Sequence, residues 1–368
     1  NNNNIKNEQS KNVNTNNIDP EKYVLSLIVI CSHIKYLLCQ YRCHECISVC
    51  QLLPRRHYSS GWVQHMIGKA YFELNDYKSS QLALREMLRL EPFRVTGTEL
   101  LSTCLWHLKK DKELCSLAQQ VIEMDKFSPE SWCVVGNSFS LRREHETAVK
   151  FFERALQLDR SFVYAHTLCG HEYICNEDLE KALQSFREGI YHDDRHYNAW
   201  YGIGTIYYRQ ERLELAEYHF KKAIEINPNS SVLICYLGMV LNAYNRSEKT
   251  IESIELLREA CANDKKNPQL HFQYAHVLYT NGSYNCLVEA LSVLYIVKEY
   301  ASKESPVYSL LGQIYHRLGK NQEALKYFNY AIELDPKQAV LLKPTLDLIQ
   351  EPYLLATSEE IQNLLDEI

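Results

Sequence analysis

The sequence contains little glycine, no excess of basic residues and no long apolar run. Its 368 residues include 12 Gly, and 40 Lys and Arg stand against 46 Asp and Glu. The net charge of −6 excludes the basic face that nucleic-acid-binding proteins present. The most apolar stretch, Tyr23–Cys31, is far shorter than the ~20 residues that cross a bilayer, and Ser26 interrupts it. We therefore expect no nucleic-acid partner and no membrane span.

The start of the chain and the cysteines indicate where in the cell the protein is located. The chain opens with Asn-rich sequence and without Met, so we expect no secretory signal and a fragment of a longer protein. The 13 Cys are odd in number and scattered, which favours reduced thiols over a disulfide framework. We expect localisation in the nucleus and cytoplasm.

One cysteine motif, Cys43 and Cys46 around a His, has the spacing of a zinc site. Cys39 and Cys50 continue it with helical spacing, however, and no second ligand pair follows. Small buried side chains explain the motif better. No phosphate-binding loop and no convergent set of nucleophile, acid and base is visible. We predict no metal, no cofactor, no catalytic residue and hence no enzyme.

Half of the glycines share one spacing. These glycines are Gly68, Gly136, Gly170, Gly204, Gly238 and Gly312. The four from Gly136 to Gly238 are 34 residues apart, the first interval is twice 34, and the last is 74. These glycines lie inside helical patterns, where each costs about 1 kcal/mol against Ala. Close approach of two helices is the natural compensation. An internal repeat of this length indicates a helical array.

Other positions follow the same spacing. Small residues come 12 positions after the glycines, Ala148 among them and Ser80 and Thr250 as variants, and Phe152, Phe186, Phe220 and Phe328 come 16 after. This is the tetratricopeptide-repeat pattern. It predicts an all-α superhelical solenoid of about nine helix-turn-helix repeats. The repeats start near residues 27, 61, 95, 129, 163, 197, 231, 268 and 305.

The spacing departs from 34 residues near the C-terminus, and both ends of the chain differ from the repeats. Extra residues near Arg246–Ala260 and Ser283–Ala290 should lie in turns, although the first could extend a helix. We expect residues 1–20 to form a disordered linker and 21–338 the array. Residues 339–368 should form capping helices, the first over Ala339–Ile349 and a second begun by Thr357 and Glu360.

Helical periodicity also predicts a binding groove. In each repeat, positions 2, 5, 9 and 12 of the first helix face away from the packing positions. They place aromatic and short polar side chains together in the three central repeats, as a peptide site requires. The alternative is an ordinary solvated inner surface. The groove residues that we single out are Glu130, Asn137, Tyr164, His171, Asn198, Tyr201, Thr205 and Tyr208, with Glu172 beside them.

Several strings go beyond the general repeat pattern. They include Gly61-Trp62-Val63, Leu105-Trp106-His107-Leu108, Gly170-His171-Glu172 and His196-Tyr197-Asn198-Ala199-Trp200-Tyr201-Gly202. Together they resemble the C-terminal repeat array of the third, Cdc27-type subunit of the anaphase-promoting complex, over roughly residues 30–340. Other repeat subunits of that complex, especially the eighth, share some strings and remain an alternative. A repeat module of an unrelated assembly is a second one.

The resemblance implies a non-catalytic scaffold of a ubiquitin ligase. Its expected partners are other subunits of the complex and the Ile-Arg C-terminal tails of activator proteins and of a Doc-domain subunit. It also implies a homodimer formed through an N-terminal array that this chain lacks. We hypothesise that Asn137 and His171 hold the tail backbone or carboxylate. Glu172 or Glu130 would then pair with its Arg.

Overall fold

A computed structural model describes residues 20–265, 267–347 and 349 of the chain. Every regular element in these residues is a helix, which confirms the predicted all-α class. The chain forms two compact units, the first ending at Asp159 and the second beginning at Arg160. The predicted linker before residue 20 and the second capping helix after Thr357 lie outside the described residues.

Apart from the short α3, the helices of each unit follow one another in packed pairs. The first unit contains α1 Pro20–Cys39, α2 Cys43–Gln51, α3 Arg55–Tyr58, α4 Gly61–Glu73, α5 Tyr77–Leu90, α6 Thr98–His107, α7 Asp111–Met124, α8 Pro129–Leu141 and α9 His145–Leu158. The second contains α10 Val163–Cys175, α11 Leu179–His192, α12 Tyr197–Arg209, α13 Leu213–Ile226, α14 Ser231–Ala243, α15 Ser247–Asn263, α16 Pro268–Asn281, α17 Tyr284–Tyr300, α18 Ser305–Arg317 and α19 Asn321–Leu334.

Seven of these helices begin at a predicted repeat start: α4, α8, α10, α12, α14, α16 and α18. They are the first helices of their pairs, and we call them, with α1 and α6, the A-helices. The other two differ from prediction, since α6 begins three residues late at Thr98 and α1 begins early at Pro20. Gly97 adopts the left-handed conformation with φ of 98°, so the helix cannot start before it.

The turn inside each pair contains one residue in the left-handed conformation. Non-glycine residues occupy this position at intervals of 34: Tyr41, Asn75, Lys109, Arg143, Glu177, Glu211 and Asn245. The last two turns use Gly282 and Gly319. Such a residue ends a helix by turning the chain away from its axis. The repeat is therefore visible in the backbone even where the side chains differ.

The repeated glycines receive the large side chain of the second helix. A Cβ added at Gly170 would lie 2.5 Å from the Phe186 ring, and one added at Gly312 would lie 2.5 Å from the Phe328 ring. Both rings are fully buried, with 0% exposure. Gly68 and Gly238 receive Leu84 and Leu257 in the same way. Close packing between the two helices of a pair thus compensates for the helix-interior glycine.

We expect opposite results for alanine at two glycines. A Cβ at Gly136 would overlap the Phe152 ring, so Gly136→Ala should lower the free energy of unfolding by about 1–3 kcal/mol. A Cβ at Gly189 would have its nearest neighbours at 3.6 Å, which is ordinary contact, so Gly189→Ala should raise that free energy by up to about 1 kcal/mol. Urea unfolding followed by circular dichroism measures both. Equal effects of the two substitutions would contradict this packing.

Both extra segments lengthen a helix rather than a turn. Helices α15 and α17 each have 17 residues, three more than the 14 of the other second helices from α5 onward. In α15 the added residues precede Ser253, which is fully buried and donates a hydrogen bond to the Gly238 carbonyl at 2.8 Å. Ser80 makes the same bond to Gly68 at 2.7 Å. The small-residue position predicted at Thr250 therefore belongs to Ser253.

Helix α1 is longer than its most apolar stretch. Its 20 residues make it the one helix in the described ranges with the length and composition to cross a membrane, and 17% of its most apolar window is buried. The apolar sequence of α1 therefore extends beyond the stretch Tyr23–Cys31 that the sequence analysis measured. A core helix can meet the same criterion, and the C-terminal half of α1 packs Ile34, Leu37 and Leu38 into the core with α2 and α4. Toward its N-terminus, Leu25 and Val29 are exposed.

The cysteines and the C-terminal segment complete the described core. All thirteen cysteines are free thiols, and Cys43, Cys46 and Cys50 are buried. Burial raises the pKa of the Cys43 thiol to about 12, so it is protonated at neutral pH. Residues 338–347 are helical, and Leu342 and Ile349 are buried in the last hydrophobic cluster.

Candidate functional site

The predicted groove residues lie on the A-helices of both units, and we treat the two units separately. In the first unit, Glu130 and Asn137 lie two turns apart on α8. Asn137 is only 3% exposed, and its Nδ2 donates to Ser102 Oγ at 2.7 Å and to Thr103 Oγ1 at 3.1 Å. The amide nitrogen therefore already links α8 to α6. Glu130 is half-buried and accepts a hydrogen bond from the Ser128 hydroxyl.

Four charged or titratable residues near α8 were not among the predicted site residues. His65 Nδ1 lies 3.1 Å from Arg94 Nη2, and Arg94 also pairs with Glu91 at 2.8 Å. Burial, together with Arg94 and Lys69, lowers the pKa of His65 to about 4, so its ring is neutral. Glu99 accepts a hydrogen bond from the Gly97 amide at 2.7 Å. We call His65, Lys69, Arg94 and Glu99 the charged cluster.

The sequence carried one signal for this cluster. His65 and Glu99 occupy position 5 of successive repeats, and Lys69 occupies position 9 of the first. Arg94 precedes its repeat start, so no counting of A-helix positions would find it. The cluster and Glu130 give the first unit a mixed-charge surface that can hold both a carboxylate and a guanidinium.

The titration of Glu99 gives a pH prediction. Burial raises its pKa to about 7, and the like charge of Glu130 adds to this. The native state then keeps a proton that the unfolded state loses, so stability falls as pH rises from about 4.5 to 7. Glu99→Gln cannot ionise. We therefore expect the free energy of unfolding of the variant, minus that of wild type, to be larger at pH 8 than at pH 4.5 by about 1–3 kcal/mol.

Chemical denaturation at the two pH values measures this difference. A pH-independent effect of Glu99→Gln would contradict the assignment.

In the second unit the A-helix face is aromatic. His171 meets the Phe186 ring edge-on at 5.2 Å between centroids and lies 6.3 Å from Tyr201. Tyr201 in turn meets Tyr236 edge-on at 5.1 Å and lies 6.0 Å from Phe220. We call these five residues the aromatic cluster. Burial lowers the pKa of His171 to about 4, so this ring is neutral at physiological pH.

The remaining predicted residues of this unit surround the cluster unevenly. Tyr164, Asn198, Thr205 and Tyr208 are half-buried, and Thr205 donates to the Tyr201 carbonyl at 3.0 Å. Glu172 is only 7% exposed, so a ligand at the surface can reach little of its side chain. The structure thus brings His171 and Tyr201 together and adds Tyr236, which the sequence analysis did not name. No group of three or more metal-ligating side chains occurs among the described residues.

Models of the tetratricopeptide repeat match residues 63–94, 129–162, 197–230 and 305–338. The crystal structure of the anaphase-promoting complex heterotetramer Cut9–Hcn1 includes a chain with a TM-score of 0.63 and 12% identity to this one. The match covers 85% of this chain and 68% of that one. At this identity the likeness shows the fold alone, and it confirms the predicted repeat architecture.

Curated relatives are much more similar in sequence. Cell division cycle protein 27 homolog B of Arabidopsis thaliana is 47% identical over 296 residues, covering 80% of this chain and 39% of the relative. Anaphase-promoting complex subunit 3 of Schizosaccharomyces pombe is 41% identical over 332 residues, covering 89% and 49%. The protein of that name in Dictyostelium discoideum is 46% identical over 324 residues, covering 88% and 33%.

The chain spans less than half the length of these relatives. Two of them are named as a subunit of a complex, in agreement with the prediction of a repeat subunit and not an enzyme. The matched regions cover 80% to 89% of this chain. The chain is therefore a tetratricopeptide-repeat segment that belongs to the Cdc27-type family.

Proposed function

We propose that this chain is a non-catalytic scaffold segment of an anaphase-promoting complex and contacts other subunits of it. The observation that carries this proposal is the 41–47% identity to relatives named Cdc27 and anaphase-promoting complex subunit 3. Stacked helix pairs support it, because they expose long surfaces for protein contacts.

Affinity purification of the tagged chain from cell extract tests the scaffold role. The expected result is co-purification of other subunits of the complex, including its cullin and RING subunits. An unrelated tetratricopeptide array with the same tag serves as the control. Recovery of the same proteins by both arrays, or of no subunit by this chain, would contradict the proposal.

We further propose that the A-helix faces bind C-terminal tails ending in Ile-Arg, from activator proteins and a Doc-domain subunit. Such a tail offers an aliphatic side chain, a guanidinium and a terminal carboxylate. An aliphatic side chain suits an aromatic surface, a guanidinium suits a carboxylate, and a carboxylate suits a cation or N–H donors.

Each unit is a separate candidate surface for the tail. The aromatic cluster of the second unit provides apolar surface and the neutral imidazole of His171. The first unit provides the Glu99 and Glu130 carboxylates, the cations Lys69 and Arg94, and Asn137. Because the Asn137 side chain donates hydrogen bonds to Ser102 and Thr103, replacing it would also weaken the attachment of α8 to α6.

Variants of each unit decide which surface contacts the tail. We expect His171→Ala, or Asn137→Ala with Glu130→Gln, to weaken binding of a labelled Ile-Arg peptide in fluorescence polarisation. Because His171 stays neutral above pH 6, it should add no pH dependence between pH 6 and 8. Unchanged affinity in all of these variants would contradict the proposed surfaces.

Two further expectations extend to the whole protein. We propose self-association through an array outside this chain, and residence in nucleus and cytoplasm. Light scattering of the full-length protein and of this chain tests the first, with a dimer expected only for the former. Fluorescence microscopy of the tagged protein tests the second.

A further inference from the structure

Three tyrosine hydroxyls meet at one point of the second unit. Tyr295 Oη of α17 lies 2.8 Å from Tyr315 Oη of α18 and 3.0 Å from Tyr327 Oη of α19. The rings of Tyr315 and Tyr327 are stacked, with 5.4 Å between centroids and 7° between planes. This stacking directs both hydroxyls at the same Tyr295 oxygen, so each can donate a hydrogen bond to it.

Two lysines act on the same phenol. Lys298, one turn along α17, holds its Nζ 5.9 Å from the Tyr295 ring centroid and 5.6 Å from that of Tyr327. Lys326 of α19 also favours the ionised Tyr295, whereas Glu323 of the same helix acts on Tyr315. Two hydroxyl donors and two cations thus stabilise negative charge on one phenol oxygen.

The three phenols should consequently ionise in a fixed order. Partial burial opposes ionisation of Tyr295, but the bonds from Tyr315 and Tyr327 and the lysine charges outweigh it and lower its pKa. Burial and the bond to Tyr295 raise the pKa of Tyr315 to about 12, and they raise that of Tyr327 as well. Tyr295 is 41% exposed, so reagents can reach it.

We propose that Tyr295 is a nucleophilic tyrosine and a covalent modification site for electrophiles with a sulfonyl-type centre. A phenolate is the reactive form, and a nucleophile is activated when its surroundings favour that form. In the step, the Tyr295 Oη–S bond forms as the S–F bond of a sulfonyl fluoride breaks. Fluoride leaves, the phenol proton passes to water, and nothing is oxidised or reduced.

Labelling of the intact chain with 4-toluenesulfonyl fluoride at pH 8, followed by peptide mass spectrometry, tests the proposal. Tyr330 is the internal reference, because its exposure of 49% is similar and it stacks on Tyr308. We expect Tyr295 to react at least about tenfold faster than Tyr330, since the hydrogen bonds from Tyr315 and Tyr327 and the nearby lysine charges favour the phenolate of Tyr295.

Two variants identify the cause of the reactivity. Tyr315→Phe with Tyr327→Phe removes both donors but keeps the stacked rings, and Lys298→Met removes the nearest charge but keeps its apolar stem. Each should slow labelling of Tyr295 toward the rate of Tyr330, while circular dichroism shows unchanged helix content. Labelling of Tyr295 no faster than Tyr330 in wild type, or at an undiminished rate in the double variant, would overturn the proposal.

Discussion

Phe186→Ala is expected to lower the free energy of unfolding by about 3–5 kcal/mol. The ring is fully buried in α11 and fills the space above two glycines, Gly170 of its own pair and Gly202 of the next A-helix. Truncation would leave a cavity, because α10 and α12 both pack against α11 and their rigid backbones cannot collapse into the space of the ring. Urea unfolding followed by circular dichroism measures the loss.

The matched control lies on the same helix. Tyr191 is 83% exposed, so Tyr191→Ala should change the free energy of unfolding by about 0.5 kcal/mol or less. A small effect of Phe186→Ala would mean that the glycine and phenylalanine positions do not hold the helix pairs together. The 34-residue spacing would then not indicate closely packed helix pairs.

Tyr201→Ala is expected to weaken binding of an Ile-Arg peptide by about thirtyfold, the effect of removing a central aromatic contact worth ~2 kcal/mol. Tyr201 stands at the centre of the aromatic cluster, between His171 and Tyr236 and against Phe220. Its loss would remove apolar surface for the ligand and free its neighbours to move. Fluorescence polarisation with the purified chain gives the affinity.

A tyrosine on the second helix of the same pair provides the control for binding. Tyr218 on α13 is 51% exposed and belongs to neither cluster, so Tyr218→Ala should leave the affinity within about twofold of wild type. Equal losses in the two variants would indicate a general loss of folded protein. Unchanged affinity in both variants would mean that the peptide does not bind at the aromatic cluster.

The sequence predicted the helix pairs well because their packing depends on residue size at fixed intervals. Gly170 and Phe186 lie 16 residues apart, and that separation places the Phe186 ring against Gly170. The prediction failed where two small residues compete for one position. Thr250 fits the interval, but the three added residues of α15 put Ser253 against Gly238 instead.

The turn residues were not predictable, because Tyr41, Lys109 and Glu177 adopt the left-handed conformation without any shared side-chain chemistry. The groove residues remain a prediction. Periodicity placed Asn137 opposite the packing positions, yet only the fold shows its amide bonded to Ser102, 35 residues earlier. Arg94 joined the charged cluster from outside a helix, where periodicity gives no information.

The most direct measurement compares two labelled peptides ending in Ile-Arg, one with a free carboxylate and one amidated, by fluorescence polarisation against the wild-type chain. The account predicts saturable binding of the free carboxylate and a loss of at least about tenfold on amidation, since amidation removes the charge-assisted hydrogen bonds that the carboxylate accepts. Equal affinity for the two peptides, or no binding of either, would contradict recognition of C-terminal tails by these repeats.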